Sequence, residues 1–211
     1  MLATKSAALI NIDNDCDVAI AEAKKLYLEG SVFIYPTDTI YGLGANPFNE
    51  EAVKRIYQIK EREKEKAYIM LINSIENLLK YVEVKAENHL DFLLAIWPNP
   101  VSVVLNLNFK TQELLKTKTA AFRIPNHRFC LKLLTNLQMP LISTSVNKSG
   151  QAPLNELSLF ESELSSEVSA IFYSKKKSFI NSSTLIDLSE SNPRLIREGK
   201  IKFDDLMAKF K

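Results

Sequence analysis

The sequence predicts an α/β fold, in which helices flank a twisted sheet of mixed parallel and antiparallel strands. Short runs rich in β-branched and aromatic residues alternate with amphipathic helical segments through most of the 211 residues. The last three predicted strands follow one another without a segment long enough for a helical crossover, so part of the sheet must be antiparallel. There is no internal repeat and no low-complexity linker, and this length with 46% hydrophobic residues suits a single domain over residues 1–211.

The first half of the chain carries clear helix and strand signals. Residues 17–29 have helical periodicity and precede Gly30, a residue type that commonly ends helices in the left-handed conformation. A β-branched and aromatic run at 31–35 predicts a strand that stops at Pro36, and Asn49 can cap the next helix. The other elements predicted here are a strand at 68–72, helices at 74–81 and 86–97, and a strand at 101–107.

The second half of the chain combines short strand-like runs with helical segments. Several of these runs lead directly into polar loops, and in α/β sheets ligands bind beyond the carboxyl ends of strands. We therefore look for functional side chains just after the strands. The predicted strands lie at 120–124, 141–144, 170–173, 184–188 and 194–197, and the predicted helices lie at 126–137, within 155–167, and at 204–210.

Composition excludes several classes of protein. The 27 Lys and Arg residues nearly balance 25 Asp and Glu, so the net charge of +2 argues against a generally basic nucleic-acid coat. Cys16 and Cys130 are far apart in the sequence, which argues against a disulfide framework or structural zinc site and favours a reducing compartment, the cytoplasm. No apolar run approaches the length of a membrane span. Neither of the common glycine-rich phosphate-binding motifs is present.

A polar loop follows the strand predicted at 31–35. Thr37 and Thr39 supply hydroxyls, Asp38 a carboxylate and Tyr41 a phenol, which makes the loop a candidate binding segment. The alternative is a turn in which these side chains bond only to the backbone.

The run at 60–66 alternates basic and acidic residues. In an extended segment Lys60, Arg62 and Lys64 would share one side, and convergent cations suit a triphosphate. A solvated charged face is the alternative interpretation.

Later strands also end in polar groups. Arg123 stands alone in an otherwise apolar strand, which indicates an anionic partner, either a substrate or a protein carboxylate. The loop at 143–150 combines hydroxyls, an amide and a glycine, and it can cradle phosphates or form a simple polar turn.

Ser183 and Arg197 repeat this pattern of small hydroxyls and isolated arginines near strands. With no catalytic triad and no metal-ligand spacing, these groups favour binding and electrostatic positioning of a nucleotide or phosphate.

Taken in order, these segments resemble the YrdC-type threonylcarbamoyl-AMP synthases in their short, single-domain form. The likeness spans about residues 10–205, and seven motifs in the same order make it specific. Glu63 and Ala67 stand where the family usually has prolines. The matching motifs are PTDTxYGL at 36–43, KxR at 60–62, WPxPxSxxL at 97–105, RxPxH at 123–127, SxSxNxSG at 143–150, STxxD at 183–187 and RxxRxG at 194–199.

The resemblance implies a YrdC-like fold with a concave ligand-binding face, and an enzyme, a nucleotidyltransferase. L-threonine, bicarbonate and ATP would give threonylcarbamoyl-AMP and pyrophosphate, and Mg²⁺ would accompany ATP. The product would pass to the tRNA threonylcarbamoyl-transferase machinery, which modifies the adenosine beside the anticodon. A weak contact with tRNA and a cytoplasmic location are also expected, and no membrane association is expected.

Matching positions assign roles to twelve residues and leave the role of Asp38 open. Lys60 and Arg62 are the expected catalytic residues. The expected nucleotide-binding residues are Lys60, Arg62, Lys64, Thr119, Ser145, Asn147 and Arg197. The expected threonine-binding residues are Thr37, Tyr41, Arg123, Ser143 and Ser183.

Two other functions compete with this expectation. One is a module that binds double-stranded RNA or tRNA without synthase activity, with its basic contacts near residues 54–66. The balanced charge and the interleaved acidic residues argue against it. The other is carbamoyl-adenylate chemistry, which in a related family occurs inside a much longer chain.

Overall fold

A computed structural model describes residues 6–61, 68–84, 86–175 and 181–210. The strands are β1 (Ala8–Asn11), β2 (Phe33–Tyr35), β3 (Gly42–Gly44), β4 (Ile69–Leu71), β5 (Val101–Asn106), β6 (Thr119–Arg123), β7 (Leu141–Ser145), β8 (Ala170–Tyr173), β9 (Thr184–Asp187) and β10 (Arg194–Arg197). The helices are α1 (Cys16–Leu28), α2 (Glu50–Ile59), α3 (Ile75–Leu78), α4 (Glu87–Ile96), α5 (Phe109–Leu115), α6 (Arg128–Leu137), α7 (Leu157–Leu164) and α8 (Phe203–Met207).

Local capping explains where several helices begin. The Asp15 carboxylate accepts the backbone N–H of Val18 at 3.0 Å and starts α1, and the Asn49 side chain accepts from Ala52 N at 2.9 Å and starts α2. These bonds satisfy N–H groups that have no partner within the helix. Gly30 follows α1 with φ +74°, a conformation that suits glycine.

The strands form one mixed sheet in the order β1-β8-β2-β3-β7-β4-β6-β5-β9-β10. The pairs β1–β8, β2–β8, β4–β6 and β5–β9 are parallel, whereas β2–β3, β3–β7, β4–β7, β5–β6 and β9–β10 are antiparallel. The predicted mixed sheet flanked by helices is therefore confirmed, including the antiparallel pairing of the late strands.

The two halves of the sheet are covered differently. In β2, Phe33 packs into a buried cluster with residues of α1 and α6, while Ile34 packs into a second cluster with residues of α2 and α7 on the other face. In β5 and β6, Val103 and Phe122 pack into a third cluster, to which α4 contributes. Successive side chains of a strand point to opposite faces. The residues between these core positions therefore lie on the other face of β5 and β6, where the candidate site lies.

Three elements were not predicted from the sequence: β1, β3 and α5. Strand β3 is Gly-Leu-Gly, and glycine has low strand propensity, so no periodic signal marked it. Its backbone instead lies against an aromatic ring, because a Cβ at Gly44 would be 2.7 Å from Tyr35 Cε1. Helix α6 begins at Arg128, two residues later than predicted. Within the described residues, no helix is long and apolar enough to cross a membrane.

We predict that Asn49→Ala lowers the free energy of unfolding by about 1 kcal/mol, because the first turn of α2 loses its side-chain acceptor. Urea unfolding monitored by circular dichroism measures this difference. Glu51→Gln is the control, since Glu51 makes only an exposed ion pair with Lys54 at 3.8 Å. Equal stabilities of the Asn49 variant and the control would contradict the capping role.

Candidate functional site

A cavity of about 540 Å³ opens on the face of β5 and β6 that lies opposite their buried core cluster. Because side chains alternate along a strand, Ala121 and Arg123 of β6 face the cavity while Phe122 between them lies in the core. The cavity is lined by Thr39, Ile40, Tyr41, Tyr68, Ile69, Val104, Thr119, Ala120, Ala121, Arg123, Ser143, Thr144, Ser145, Pro153, Ser182, Ser183, Leu185, Ile196 and Arg197.

Arg123 is the buried cation of this cavity, with only 3% of its surface exposed. Its Nη1 donates to Asp38 Oδ1 at 3.0 Å and to Thr39 Oγ1 at 3.1 Å. Its buried Nε has no hydrogen-bond acceptor among the described residues. One corner of the guanidinium is therefore held by the protein, while no described residue accepts a hydrogen bond from the edge formed by Nε and Nη2.

The loop after β2 holds that corner through a chain of hydroxyls. Thr37 Oγ1 donates to Ile40 O at 2.8 Å, so its oxygen accepts from Thr39 N at 3.0 Å and from Thr39 Oγ1 at 2.9 Å. The Thr39 oxygen in turn accepts from Arg123. Thr37 thus orders the loop from a buried position, and Thr39 is the hydroxyl that lines the cavity.

Of the two interpretations of Arg123 drawn from the sequence, the structure shows the pairing with a protein carboxylate. The carboxylate is that of Asp38, whose buried side chain is therefore the counter-charge of Arg123. The Nε–H nevertheless stays without a protein acceptor. A buried donor without a partner is costly, and a substrate anion would relieve that cost.

Strand β10 brings a second arginine to the cavity through a β-bulge. Arg194 is paired with Asp187, Leu195 with Ile186 and Arg197 with Leu185, so Ile196 is an extra residue in the strand. The bulge shifts the alternation and places Arg197 opposite Leu185, on the cavity face. Arg197 Nη2 donates to Ser183 O at 3.0 Å, which ties β10 to the segment before β9.

The cavity is electropositive and combines polar groups with an apolar ring. Burial, together with the nearby charge of Arg123, lowers the pKa of the Arg197 guanidinium, which still stays protonated at neutral pH. Burial raises the pKa of Tyr68 to about 12, so this phenol remains neutral. Two guanidinium groups beside one cavity favour a ligand that carries negative charge.

Lys60 connects the end of α2 to the loop after β7. Its ammonium donates to Ser145 O at 2.6 Å and to Asn147 Oδ1 at 2.9 Å, and only 3% of the residue's surface is exposed. The backbone completes the connection, since Ser149 N donates to Lys60 O at 2.8 Å. These contacts fix the end of β7, where Ser145 lines the cavity.

The structure places the predicted site residues in three groups. Seven of them line the cavity: Tyr41, Thr119, Arg123, Ser143, Ser145, Ser183 and Arg197. Thr37, Lys60 and Asn147 lie behind the lining and hold its loops. Arg62 and Lys64 lie outside the described residues.

The sequence prediction did not assign roles to Thr39, Ser182, Leu185 and Ile196, which also line the cavity. The first two are hydroxyls beside predicted residues, and that position was their signal. Leu185 and Ile196 gave no such signal, because an aliphatic side chain in a strand normally indicates a core position. Ser102 was likewise missed: it is fully buried, and its hydroxyl lies 2.9 Å from that of Ser183.

Comparisons with known proteins agree with this architecture. The Sua5_yciO_yrdC family model, described as "Telomere recombination", matches residues 25–199. A threonylcarbamoyl-AMP synthase of Pseudoalteromonas translucida is 33% identical over 154 residues, which are 71% of this chain and 82% of that protein. Another, from Vibrio vulnificus, is 30% identical over 158 residues, or 73% of this chain and 85% of that protein.

Solved structures extend the likeness to three dimensions. P. abyssi Sua5 complexed with L-threonine has a TM-score of 0.86 and 27% identity over 96% of this chain. This chain corresponds to 60% of the length of that Sua5 chain. E. coli YciO has a TM-score of 0.84 and 22% identity, with 98% of this chain and 100% of YciO covered, and this likeness shows the fold alone.

We predict that Gly199→Ala disturbs the wall of the cavity. A Cβ at this position would lie 2.4 Å from both Ser182 O and the Ser183 carbonyl carbon, and such a backbone contact forces the segment to move. The expected results are a free energy of unfolding lowered by about 1–3 kcal/mol and displaced amide resonances of Ser182 and Ser183. Lys110→Ala is the control, because Lys110 is an exposed residue of α5 that does not line the cavity. Unchanged resonances in the Gly199 variant would contradict the close approach.

Proposed function

The chain belongs to the Sua5/YciO/YrdC family, and we propose that it is an L-threonylcarbamoyladenylate synthase. In this reaction L-threonine, bicarbonate and ATP give threonylcarbamoyl-AMP and pyrophosphate. Relatives named threonylcarbamoyl-AMP synthase, at 30–33% identity and with more than four-fifths of their length covered, bear out the expected enzyme class. The observation in the site that carries the proposal is the open edge of Arg123.

That edge has the geometry of a carboxylate receptor. Nε–H and the Nη2 group point the same way, and a carboxylate accepts both hydrogen bonds side by side. Arg123 lines a cavity whose volume of about 540 Å³ suits a small-molecule ligand. Hydroxyls of Ser143 and Ser183 line the same cavity and offer donors and acceptors to the polar groups of an amino acid. In the proposal, Arg123 therefore binds the carboxylate of threonine, and Tyr41 and the Thr37 loop complete its pocket.

The nucleotide is assigned to the side of the cavity formed by Thr119, Ser145 and Arg197. Lys60 and Asn147 lie directly behind Ser145, so the Lys60 charge is close to the phosphates in this arrangement. Arg62 and Lys64 complete the cationic set in the proposal. Mg²⁺ enters with the triphosphate of ATP and neutralises part of its charge.

The chemistry proposed does not require a nucleophile from the protein. The amino group of threonine displaces water from bicarbonate to give a carbamate, and the carbamate oxygen attacks the α-phosphate of ATP as pyrophosphate leaves. The protein holds the reactants in line and stabilises charge on the departing pyrophosphate. Cationic and hydroxyl groups are suited to both tasks.

We further propose that the product is used to modify the adenosine beside the anticodon of tRNA. The threonylcarbamoyl adenylate would pass to a separate transferase machinery, with at most a weak contact between tRNA and this chain. A cytoplasmic location belongs to the same proposal.

The direct test is to incubate the purified chain with ATP, bicarbonate and isotopically labelled L-threonine. The expected products are an adenylate that contains the label and an equal amount of pyrophosphate. Reactions without bicarbonate or with AMP in place of ATP are controls that should give none. If no labelled adenylate forms under any condition, the proposed function is wrong.

We predict that Arg123→Ala weakens threonine binding by about 10²-fold, because a charge-assisted bidentate contact is lost. Calorimetric titration with L-threonine measures the effect. Arg194→Ala is the matched control: Arg194 also pairs with an aspartate, at 2.9 Å, but lies exposed outside the cavity lining. Unchanged threonine affinity in the Arg123 variant would contradict the assignment.

We predict that Lys60→Ala and Arg62→Ala each lower turnover by on the order of 10²-fold, as is typical when a charge-stabilising group is removed. Pyrophosphate release at saturating threonine is the measurement. Lys54→Ala, which changes an exposed lysine of α2, should leave turnover near normal. Near-normal pyrophosphate release from both the Lys60 and Arg62 variants would reject their catalytic role.

A further inference from the structure

We propose that Asp38 is a positioning residue that selects which edge of Arg123 is presented to the substrate carboxylate. The proposal rests on the proposed function, since it concerns the amino-acid pocket of that reaction. The family motifs assigned no role to Asp38, and its carboxylate is 6% exposed, away from solvent.

Both carboxylate oxygens of Asp38 are engaged by the segment that carries Arg123. Oδ1 accepts from Arg123 Nη1 at 3.0 Å, and Oδ2 accepts from the backbone N–H of Asn126 at 3.0 Å. Asp38 follows β2 and Asn126 follows β6, and three strands separate β2 from β6 in the sheet. The Asp38 side chain thus joins the loop after β2 to the segment at the end of β6, and its carboxylate is held at both oxygens.

The consequence for Arg123 follows from counting its donors. The two hydrogens of Nη1 are directed to Asp38 and Thr39. The donors that remain are the Nε–H, which has no acceptor among the described residues, and those of Nη2. An arginine held in this way can receive a carboxylate only side-on, through Nε and Nη2.

Without the Asp38 carboxylate, the acceptor described for Nη1 is the hydroxyl of Thr39, which is uncharged and binds a guanidinium less strongly. The guanidinium would be free to rotate and direct a different pair of donors into the cavity. Arg197, whose pKa is lowered partly by the charge of Arg123, lies on the same cavity and would add repulsion to an unpaired Arg123. Asp38 therefore fixes the orientation of the Arg123 guanidinium and neutralises its positive charge.

This role makes a selective prediction about ligands. Asp38 should matter only for ligands whose binding uses the Arg123 edge, namely those with a carboxylate. L-threoninol, which carries an alcohol in place of the carboxylate, provides the comparison. A residue needed only for folding would affect threonine, threoninol and ATP to the same extent.

The experiment compares Asp38→Asn and Asp38→Ala with the wild-type chain in calorimetric titrations of L-threonine, L-threoninol and ATP, alongside thermal unfolding. Asp38→Asn keeps the shape of the side chain, so it tests the proposal even if Asp38→Ala does not fold. We expect threonine affinity to fall by about tenfold or more, and threoninol and ATP affinities to change less than about twofold. Asp187→Asn is the matched control, because it removes the carboxylate that pairs with Arg194 at 2.9 Å and should leave threonine affinity unchanged.

A double variant separates action through Arg123 from a direct effect. If Asp38 acts through the guanidinium, Asp38→Asn should cause no further loss of threonine affinity when added to Arg123→Ala. Equal losses for all three ligands, or full additivity in the double variant, would overturn the positioning role. If the wild-type chain binds threonine and the Asp38→Asn variant binds it with the same affinity, this inference alone is overturned. A wild-type chain that does not distinguish threonine from threoninol would instead contradict the proposed amino-acid site and, with it, the role of Asp38.

Discussion

The guanidinium of Arg123 is buried in the middle of a sheet face, and the surrounding structure must satisfy its charge and its donors. A cation with 3% of its surface exposed requires a counter-charge and acceptors, because burial removes its hydration. Asp38 provides the counter-charge, and Thr39 provides one acceptor. The loop after β2 exists in its observed form because it must deliver both groups to β6 from across the sheet. The Nε–H of Arg123, which the loop leaves without an acceptor, is the donor that the proposal assigns to the ligand.

The uneven covering of the sheet explains why this cation can lie in a cavity. Around β2 and β8, helices cover both faces, and the strands there are buried apolar runs. Around β5, β6 and β9, the described helices pack on one face, and the small side chain of Ala121 leaves space on the other. Small residues beside a buried charge give a ligand access to it. The same arrangement admits Arg197, once the bulge at Ile196 has shifted the strand register.

Sequence patterns identified the elements whose signals are local. Asn49, Gly30 and Pro36 mark helix and strand ends through conformational preferences that require no tertiary context. Seven predicted site residues line the cavity, and five of them lie within β6, β7 and β10. Tertiary effects were beyond such patterns. Strand β3 depends on the packing of its glycines against Tyr35, and Ile196 faces the cavity because of a bulge that no periodicity predicts. The sequence also could not decide whether Arg123 meets a protein carboxylate or a substrate. The structure shows the carboxylate of Asp38 at Nη1, and the proposal assigns the substrate to the other edge.

The central claim is that the Nε–Nη2 edge of Arg123 binds the substrate carboxylate, and the ¹⁵N–¹H resonance of Arg123 Nε–H reports on it directly. Its assignment follows from its absence in Arg123→Lys. We expect L-threonine to shift this resonance downfield in a saturable way as the Nε–H gains an acceptor, and L-threoninol to leave it unchanged. A resonance that stays unchanged while threonine binds elsewhere on the chain would contradict the account.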